Sequence, residues 1–149
     1  MRTFYIFKIK DEYARLTKNN PYHLFQMLSY IYNIDRGEIH RGADLFYQIV
    51  ERLKSKEIDI QILKKYQDNF FYTKFKNIHQ VNNIYKKEES KLIVHKHFLL
   101  LKSTVIRPTF LNDLKEYENI FLCDFENKDY FWLERLLEKT WEKILFRVQ

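Results

Sequence analysis

The alternation of apolar and polar positions at the start of the chain predicts a β-strand. Residues 3–10 are rich in aromatic and β-branched side chains, and two apolar residues, Phe7 and Ile9, alternate there with lysines. Asp11 follows and is suited to cap a short helix over residues 11–16, whose first turn carries acids where the helix dipole favours them. The pattern therefore predicts a central strand followed by a short helix.

Helical spacing of apolar residues predicts two longer helices after this opening. Pro21 suits the first turn of a helix over residues 22–32. The only two glycines, Gly37 and Gly42, bracket a predicted turn, after which the helical period returns over residues 45–54. The residues that carry this spacing are Leu24, Phe25, Leu28 and Ile31 in the first helix and Leu45, Phe46, Ile49, Val50 and Leu53 in the second.

The middle of the chain has a less decisive pattern. Residues 58–62 alternate cleanly and favour a short strand, although residues 63–66 fit a helix equally well. Between residues 69 and 89, aromatic side chains are mixed with lysines and asparagines, and neither the strand period nor the helix period dominates. The pattern assigns no element to that region.

The second half of the chain returns to clear patterns. Residues 92–101 contain two apolar runs separated by a His-Lys-His sequence, which predicts a hairpin with buried arms. Pro108 begins a predicted helix, residues 120–123 have the apolar character of an interior strand, and an amphipathic helix is predicted over about 133–147. The order of these elements predicts one α/β domain over residues 1–149, with a mixed sheet of four or five strands packed with helices.

Composition is that of an ordinary folded domain and directs attention to acidic partners. The 149 residues are 46% hydrophobic and 17% aromatic, which is enough for a core without disulfides or metal. Lysine and arginine number 26 against 20 acids, and the resulting charge of +6 attracts acidic partners. The N-terminus lacks the pattern of a signal peptide, and no apolar stretch approaches about 18 residues, so we expect a cytoplasmic protein without a membrane partner.

The chain offers few groups for catalysis or metal binding. Cys123 lies among apolar neighbours, where a buried, inert thiol is the natural interpretation. His95 and His97 are spaced to share one face of a strand, but no further ligand motif lies nearby, which favours polar turn residues. Asp124 and Glu126 follow a strand, where an aspartate usually caps the next turn. Two glycines are too few for the glycine-rich phosphate loop of a nucleotide enzyme. Taken together, these residues form no constellation with assigned roles, so the sequence predicts no metal, no cofactor and no enzymatic activity.

One segment supports an alternative function as a basic nucleic-acid-binding module. In residues 71–76, aromatic rings are placed to stack on single-stranded bases while lysines hold phosphates. The residues concerned are Phe71, Tyr72, Lys74 and Lys76. The same residues also fit a half-buried strand with one solvated face. The sequence favours that interpretation, because two or three of these aromatic side chains are needed to fill a core.

Two segments carry motifs whose order and spacing resemble a known family. Residues 2–14 form an aromatic strand that leads into an acidic pair, a tyrosine and an alanine, with Leu24 and Phe25 after a short gap. Residues 98–133 contain the clearest motif, which is Phe121-Leu122-Cys123-Asp124-Phe125 followed by Tyr130 and Trp132-Leu133. Together these segments are similar to the family of the sporulation inhibitor of replication, SirA, whereas the middle of the chain matches only in hydrophobic pattern.

This resemblance implies an α/β protein that blocks chromosome replication by binding the N-terminal domain of the initiator DnaA, without catalysis. The family's contacts lie on the helix after the first strand and on a later helix. By this resemblance, Tyr13 stands at an aromatic contact position and Gln48 matches a contact glutamine. Thr17 occupies another aromatic contact position, and Glu51 or Arg52 replaces a further contact ring. The implied partner-binding residues are therefore Tyr13, Thr17, Gln48, Glu51 and Arg52.

The sequence leaves two orientations open for Tyr13. An exposed aromatic residue flanked by Glu12 and Arg15 is typical of an interface hot spot. The ring can equally pack inward against the sheet. Ala14 and Leu16 are the residues that would supply the inward face if Tyr13 points outward.

Overall fold

An antiparallel sheet of seven strands runs through residues 1–136, which are the residues described by the computed structural model. The strands are β1 (Arg2–Lys8), β2 (Tyr72–Phe75), β3 (Ile78–Asn83), β4 (Glu88–Val94), β5 (Leu99–Ser103), β6 (Ile120–Asp124) and β7 (Asp129–Trp132). Their spatial order is β2-β3-β4-β5-β1-β6-β7. The α/β fold class is confirmed, but the expected mixed sheet of four or five strands is an antiparallel sheet of seven.

Helices pack on both faces of this sheet. They are α1 (Asp11–Thr17), α2 (Pro21–Tyr32), α3 (Ile39–Ile49) and α4 (Ser55–Tyr66), with short 3-10 helices at Arg36–Glu38 and Thr109–Leu114. Within residues 1–136, each helix is too short or too polar to cross a bilayer. The closing helix predicted for about 133–147 is helical over residues 133–136, and its remainder lies outside the described residues.

Alternation along the central strand β1 creates two cores, because successive side chains of a strand point to opposite faces. Phe4 and Ile6 join one cluster with buried residues of α4 and of the 3-10 helix Thr109–Leu114. Phe7 joins a second cluster with buried residues of α1, α2 and α3. The strand is paired with β5 on one side and with β6 on the other, which confirms its predicted central position.

The strand favoured for residues 58–62 is wrong, because these residues lie in α4. Ile58, Ile62 and Tyr66 are buried on one side of that helix, whereas Ile60 is 52% exposed. Positions 58 and 62 satisfy both a two-residue alternation and the four-residue spacing of a helix. Only the continuation of the spacing to Tyr66 distinguishes the two, and it lies beyond the alternating run.

The helix predicted over residues 45–54 differs at both ends. The observed α3 begins at Ile39 and includes Gly42, where an added Cβ would lie 2.8 Å from a side-chain carbon of Ile34. Gly42 therefore lies in close contact with Ile34 inside a helix and does not form a turn. The helix ends at Ile49 because Val50 is extended and forms a β-bridge with Ile9.

The remaining sequence predictions divide into confirmed and missed elements. The hairpin is present as β4 and β5, with Val94 opposite Leu99, and the predicted interior strand is β6. The helix predicted from Pro108 is the 3-10 helix Thr109–Leu114. The unassigned region contains β2, β3 and the turn into β4. Lys76, between β2 and β3, and Lys87, between β3 and β4, adopt positive φ angles of 53° and 54°. The strand β7 was not predicted.

Candidate partner-binding surface

Backbone hydrogen bonds place the start of α1 beside the end of α3. The amide of Lys10 donates to the carbonyl of Ile49 at 2.9 Å, and the amide of Glu51 donates to the carbonyl of Lys8 at 2.8 Å. The ammonium of Lys10 also donates to the carbonyl of Tyr47 at 2.6 Å. Segments that are more than 30 positions apart in sequence therefore lie side by side where α1 begins and α3 ends.

The short helix α1 directs Ala14 and Thr17 inward, three residues apart on one face. Thr17 is only 2% exposed, and its hydroxyl donates to the carbonyl of Tyr13 at 2.5 Å. Leu16, which the sequence offered for the inward face if Tyr13 pointed outward, is 78% exposed, so Ala14 and Thr17 supply that face. The burial of Thr17 argues against a direct side-chain contact with a partner.

Tyr13 combines the two orientations that the sequence left open. Its ring is half-buried and packs against the cluster under α1, α2 and α3, while part of its surface reaches solvent. Leu16 follows Tyr13 by one helical turn, so the two side chains are neighbours on α1. Glu12 and Arg15 are exposed beside them. Together these four residues form an apolar patch with a charged border.

The end of α3 adds polar and aromatic groups to this surface. Gln48 is exposed, as its predicted role requires, and the neighbouring Tyr47 is also exposed. The Tyr47 ring lies 5.1 Å from the His97 ring, between centroids. Leu16 and Tyr47 were not among the predicted contact residues. The sequence did contain one indication that Leu16 is exposed. It follows Tyr13 by one turn in a helix that begins with charged residues.

Glu51 and Arg52 are exposed but lie beyond the end of α3. The carboxylate of Glu51 pairs with the ammonium of Lys8 at 3.2 Å, at the side of β1. Arg52 lies near the turn between β4 and β5. Burial lowers the pKa of His97 in that turn, and the positive charges of Arg52 and Lys96 lower it further. These two predicted residues are therefore at the margin of the surface formed by α1 and α3.

Cys123 and Asp124, which the sequence analysis considered for catalysis or metal binding, occupy positions with a structural role. Cys123 is fully buried, and burial raises the pKa of its thiol, which agrees with the predicted inert thiol. Asp124 accepts hydrogen bonds from the backbone and side chain of Asn127 at 3.1 and 2.8 Å and from Arg2 at 3.0 Å, which confirms the predicted turn cap. Within residues 1–136, no group of three or more His, Cys, Asp or Glu side chains is arranged to hold a metal ion.

Residues 71–76, on which the alternative of nucleic-acid binding rests, comprise the edge strand β2 and one residue on each side of it. Phe71 and Tyr72 are half-buried, and the ring of Tyr72 lies 5.6 Å from that of Tyr66. The ammonium of Lys74 donates to the carbonyl of Lys76. Two of the candidate stacking rings are thus used in the core, as the preferred interpretation expected.

The family model for the sporulation inhibitor of replication protein SirA matches residues 2–136. This range includes the whole seven-stranded sheet and the surface formed by α1 and α3. No curated protein matches the chain.

Proposed function

Because the chain belongs to the SirA family of sporulation inhibitors of replication, we propose that it binds the N-terminal domain of the initiator DnaA in the cytoplasm and thereby prevents assembly at the origin. The observation that carries this proposal is the apolar patch on α1, where Leu16 is 78% exposed beside the partly exposed ring of Tyr13. An inhibitor of this kind acts by occupying its partner, so the proposed activity requires no catalytic group.

The patch has the composition of a protein-protein hot spot. A leucine and a tyrosine form its centre, and Glu12 and Arg15 form a charged border that water can reach. The packing of Tyr13 against the core holds the ring in place before binding, which reduces the entropy lost on association. The buried Thr17 contributes indirectly, because its burial fixes which face of the helix points inward and so leaves Tyr13 and Leu16 towards the surface.

The contact must extend to α3. The helix α1 has only 7 residues, whereas a stable protein interface usually buries about 800 Å² on each partner. Tyr47 and Gln48 are exposed on the neighbouring end of α3, and the hydrogen bond from Lys10 to Ile49 keeps the two helix ends together. We therefore place Tyr13, Leu16, Tyr47 and Gln48 at the centre of the interface, with Glu51 and Arg52 at its margin.

The test is a binding titration with purified DnaA N-terminal domain. We expect Tyr13→Ala and Leu16→Ala each to weaken binding by at least about tenfold, because each removes an apolar side chain from the centre of the contact. Tyr85→Ala is the matched control, since Tyr85 is 83% exposed on the turn between β3 and β4, far from α1 in the fold.

Leu16→Ala keeps the test decisive, because a largely exposed side chain on α1 can be shortened without unfolding the protein. Unchanged affinity of both variants would remove α1 from the interface. Absence of binding by the wild-type protein, combined with tight binding to single-stranded DNA that weakens steeply with added salt, would instead favour the nucleic-acid alternative.

A further inference from the structure

An aromatic groove of about 660 Å³ lies between α2 and the turn that joins β6 to β7. Its size falls within the range of roughly 300–1,000 Å³ that is common for ligand sites. Tyr22 and Tyr30 line it from α2, and Phe125 and Tyr130 line it from the other side. None of these residues belongs to the surface of α1 and α3 proposed to bind DnaA.

The rings of the groove are held in fixed positions by stacking. The centroid of Phe25 lies 4.6 Å from that of Tyr130 and 5.9 Å from that of Phe125, with interplanar angles of 19° and 21°. Tyr22 lies 6.2 Å from Tyr130. The groove therefore has a preformed aromatic wall, and its exposed rings, Tyr22 and Tyr30, have surface open to a flat or cationic group.

Two carboxylates, those of Asp35 and Glu38, also line the groove. Within residues 1–136, neither forms an ion pair. The hydroxyl of Tyr30 donates to Glu38 at 3.2 Å, which orients that carboxylate. Among the described residues that line this groove, Lys128 is the one cation. In a chain with a net charge of +6, this groove is a locally acidic site.

We propose that this groove binds an arginine side chain from a basic segment of a partner protein. A guanidinium group stacks on aromatic faces and donates paired hydrogen bonds to a carboxylate, so it uses both features of the groove at once. An ammonium group lacks the flat face and the fork of donors, and an anionic ligand would meet two carboxylates. This binding site lies outside the proposed DnaA contact and is independent of it.

The probe is a fluorescent peptide of sequence Gly-Arg-Gly-Arg-Gly, titrated with the full chain and followed by anisotropy. Its control is the same peptide with citrulline in place of arginine, which keeps the shape and removes the charge. We expect the citrulline peptide to bind at least about tenfold more weakly. The net positive charge of the chain repels the arginine peptide, so general electrostatic attraction cannot produce this preference.

The variant Asp35→Asn with Glu38→Gln is expected to weaken arginine-peptide binding by at least about tenfold. The matched control, Glu89→Gln with Glu118→Gln, changes the net charge equally but alters exposed acids outside the groove. In NMR spectra, the ring resonances of Tyr22 and Tyr30 are expected to shift on addition of the arginine peptide. All four substituted acids are exposed, and a thermal melt of each variant verifies that the fold is retained.

Three results would overturn the proposal. The first is equal binding of the arginine and citrulline peptides. The second is equal loss of affinity in the groove variant and in the charge-matched control. The third is self-association of the wild-type chain, measured by sedimentation without peptide, that the groove variant abolishes. In that case the occupant of the groove is a second copy of the chain.

Discussion

Both helical layers pack on the sheet through apolar clusters, but they differ in the hydrogen bonds that accompany this packing. On one face, partly buried hydrogen bonds also tie α4 and the 3-10 helix Thr109–Leu114 to the strands. On the other face, α1, α2 and α3 rest mainly on aromatic and aliphatic side chains. Directional bonds define one position for the first layer, whereas the second layer presents the surfaces assigned to binding. The layer of α4 and the 3-10 helix thus maintains the fold, whereas the layer of α1, α2 and α3 carries the proposed binding surfaces.

A chain of three side chains links α4 to the edge of the sheet. Nε2 of the fully buried His79 lies 2.7 Å from a carboxylate oxygen of Asp59, and its Nδ1 lies 2.7 Å from the hydroxyl of Tyr72. Because a carboxylate only accepts, Nε2 carries the proton and Nδ1 accepts from Tyr72. The hydrogen bonds thus determine the tautomer of the ring and the position of α4 against β2 and β3.

Glu88 has the corresponding role for the 3-10 helix. Its carboxylate accepts from the hydroxyl and the amide of Thr109 at 2.6 and 3.0 Å and from the hydroxyl of Ser90 at 2.6 Å. The side chain is buried, so these donors replace the water that an exposed carboxylate would bind. The start of the 3-10 helix is thereby attached to β4.

The layer of α1, α2 and α3 packs on the sheet through aromatic and branched aliphatic side chains. Phe121 lies 4.9 Å from Trp132, and Tyr5 lies 5.6 Å from Phe98, between ring centroids. Leu24 is fully buried at the centre of this cluster. Packing of this kind is strong and non-directional. The outer faces of these helices carry exposed apolar side chains, Leu16 on α1 and Tyr47 on α3, that are available to partners.

The largest expected effect is on the layer of α1, α2 and α3. Leu24→Ala should lower the free energy of unfolding by about 2–5 kcal/mol, because it removes buried methyl groups and leaves a cavity. Urea denaturation measures this change. Leu63→Ala, at a partly exposed position of α4, is the control and should cost far less. Equal losses would mean that Leu24 is not at the centre of a packed cluster.

A smaller loss is expected when a polar link is altered. Glu88→Gln should lower the free energy of unfolding by about 1.5–3 kcal/mol, because hydrogen bonds to a charged acceptor are lost in a buried site. The adjacent exposed Glu89 provides the control variant Glu89→Gln. If both substitutions have the same effect in urea denaturation, the buried bonds of Glu88 do not stabilise this layer.

The buried His79 should also give stability a dependence on pH. Burial lowers the pKa of His79 despite the nearby Asp59, and the positive charge of Lys74 lowers it further. The unfolded chain therefore binds this proton first, so the contribution of His79 is complete above about pH 6.5 and decreases as the pH falls towards its folded pKa. In urea denaturation at pH 7.5 and 5.5, His79→Gln should show a smaller difference than the wild type.

The exposed His40 gives the control variant His40→Gln, which should keep the wild-type dependence on pH. Burial also lowers the pKa of His97, so we expect the difference in His79→Gln to shrink without vanishing. An undiminished difference would show that the buried ring does not contribute to the acid sensitivity of the fold.

The smallest expected effect on stability is at the binding surface. Leu16→Ala should change the free energy of unfolding by less than about 0.5 kcal/mol, because the side chain is largely exposed. Thermal and urea unfolding provide the measurement. A loss comparable to that of Leu24→Ala would show that Leu16 stabilises the fold, and the distinction between the two surfaces of α1 would then fail.

The predicted elements with a long, regular pattern were confirmed. The strand β1, the helix α2 and the hairpin of β4 and β5 each contain enough residues to show their period. The helix α4 was misassigned because its first buried residues also fit a strand. The edge strand β2 has only Tyr72 partly buried and its other residues exposed, so it carries almost no period for the sequence to show.

The candidate surface was predicted in part. The resemblance directed attention to Tyr13 and Gln48, and both reach the surface on neighbouring helix ends. It also named Thr17, which is buried, and it did not suggest Leu16, which is exposed. A helix of two turns contains too few residues for its apolar pattern to show which side faces the core.

The sequence by itself determined the α/β class, the family and the positions of the strongly periodic strands and helices, because neighbouring side chains along the chain set these features. The tertiary structure alone decided which side of α1 faces the core, how α1 and α3 meet, and where Asp35 and Glu38 join an aromatic groove. Those features depend on contacts between segments that are distant in sequence, and such contacts form only when the sheet brings the segments together.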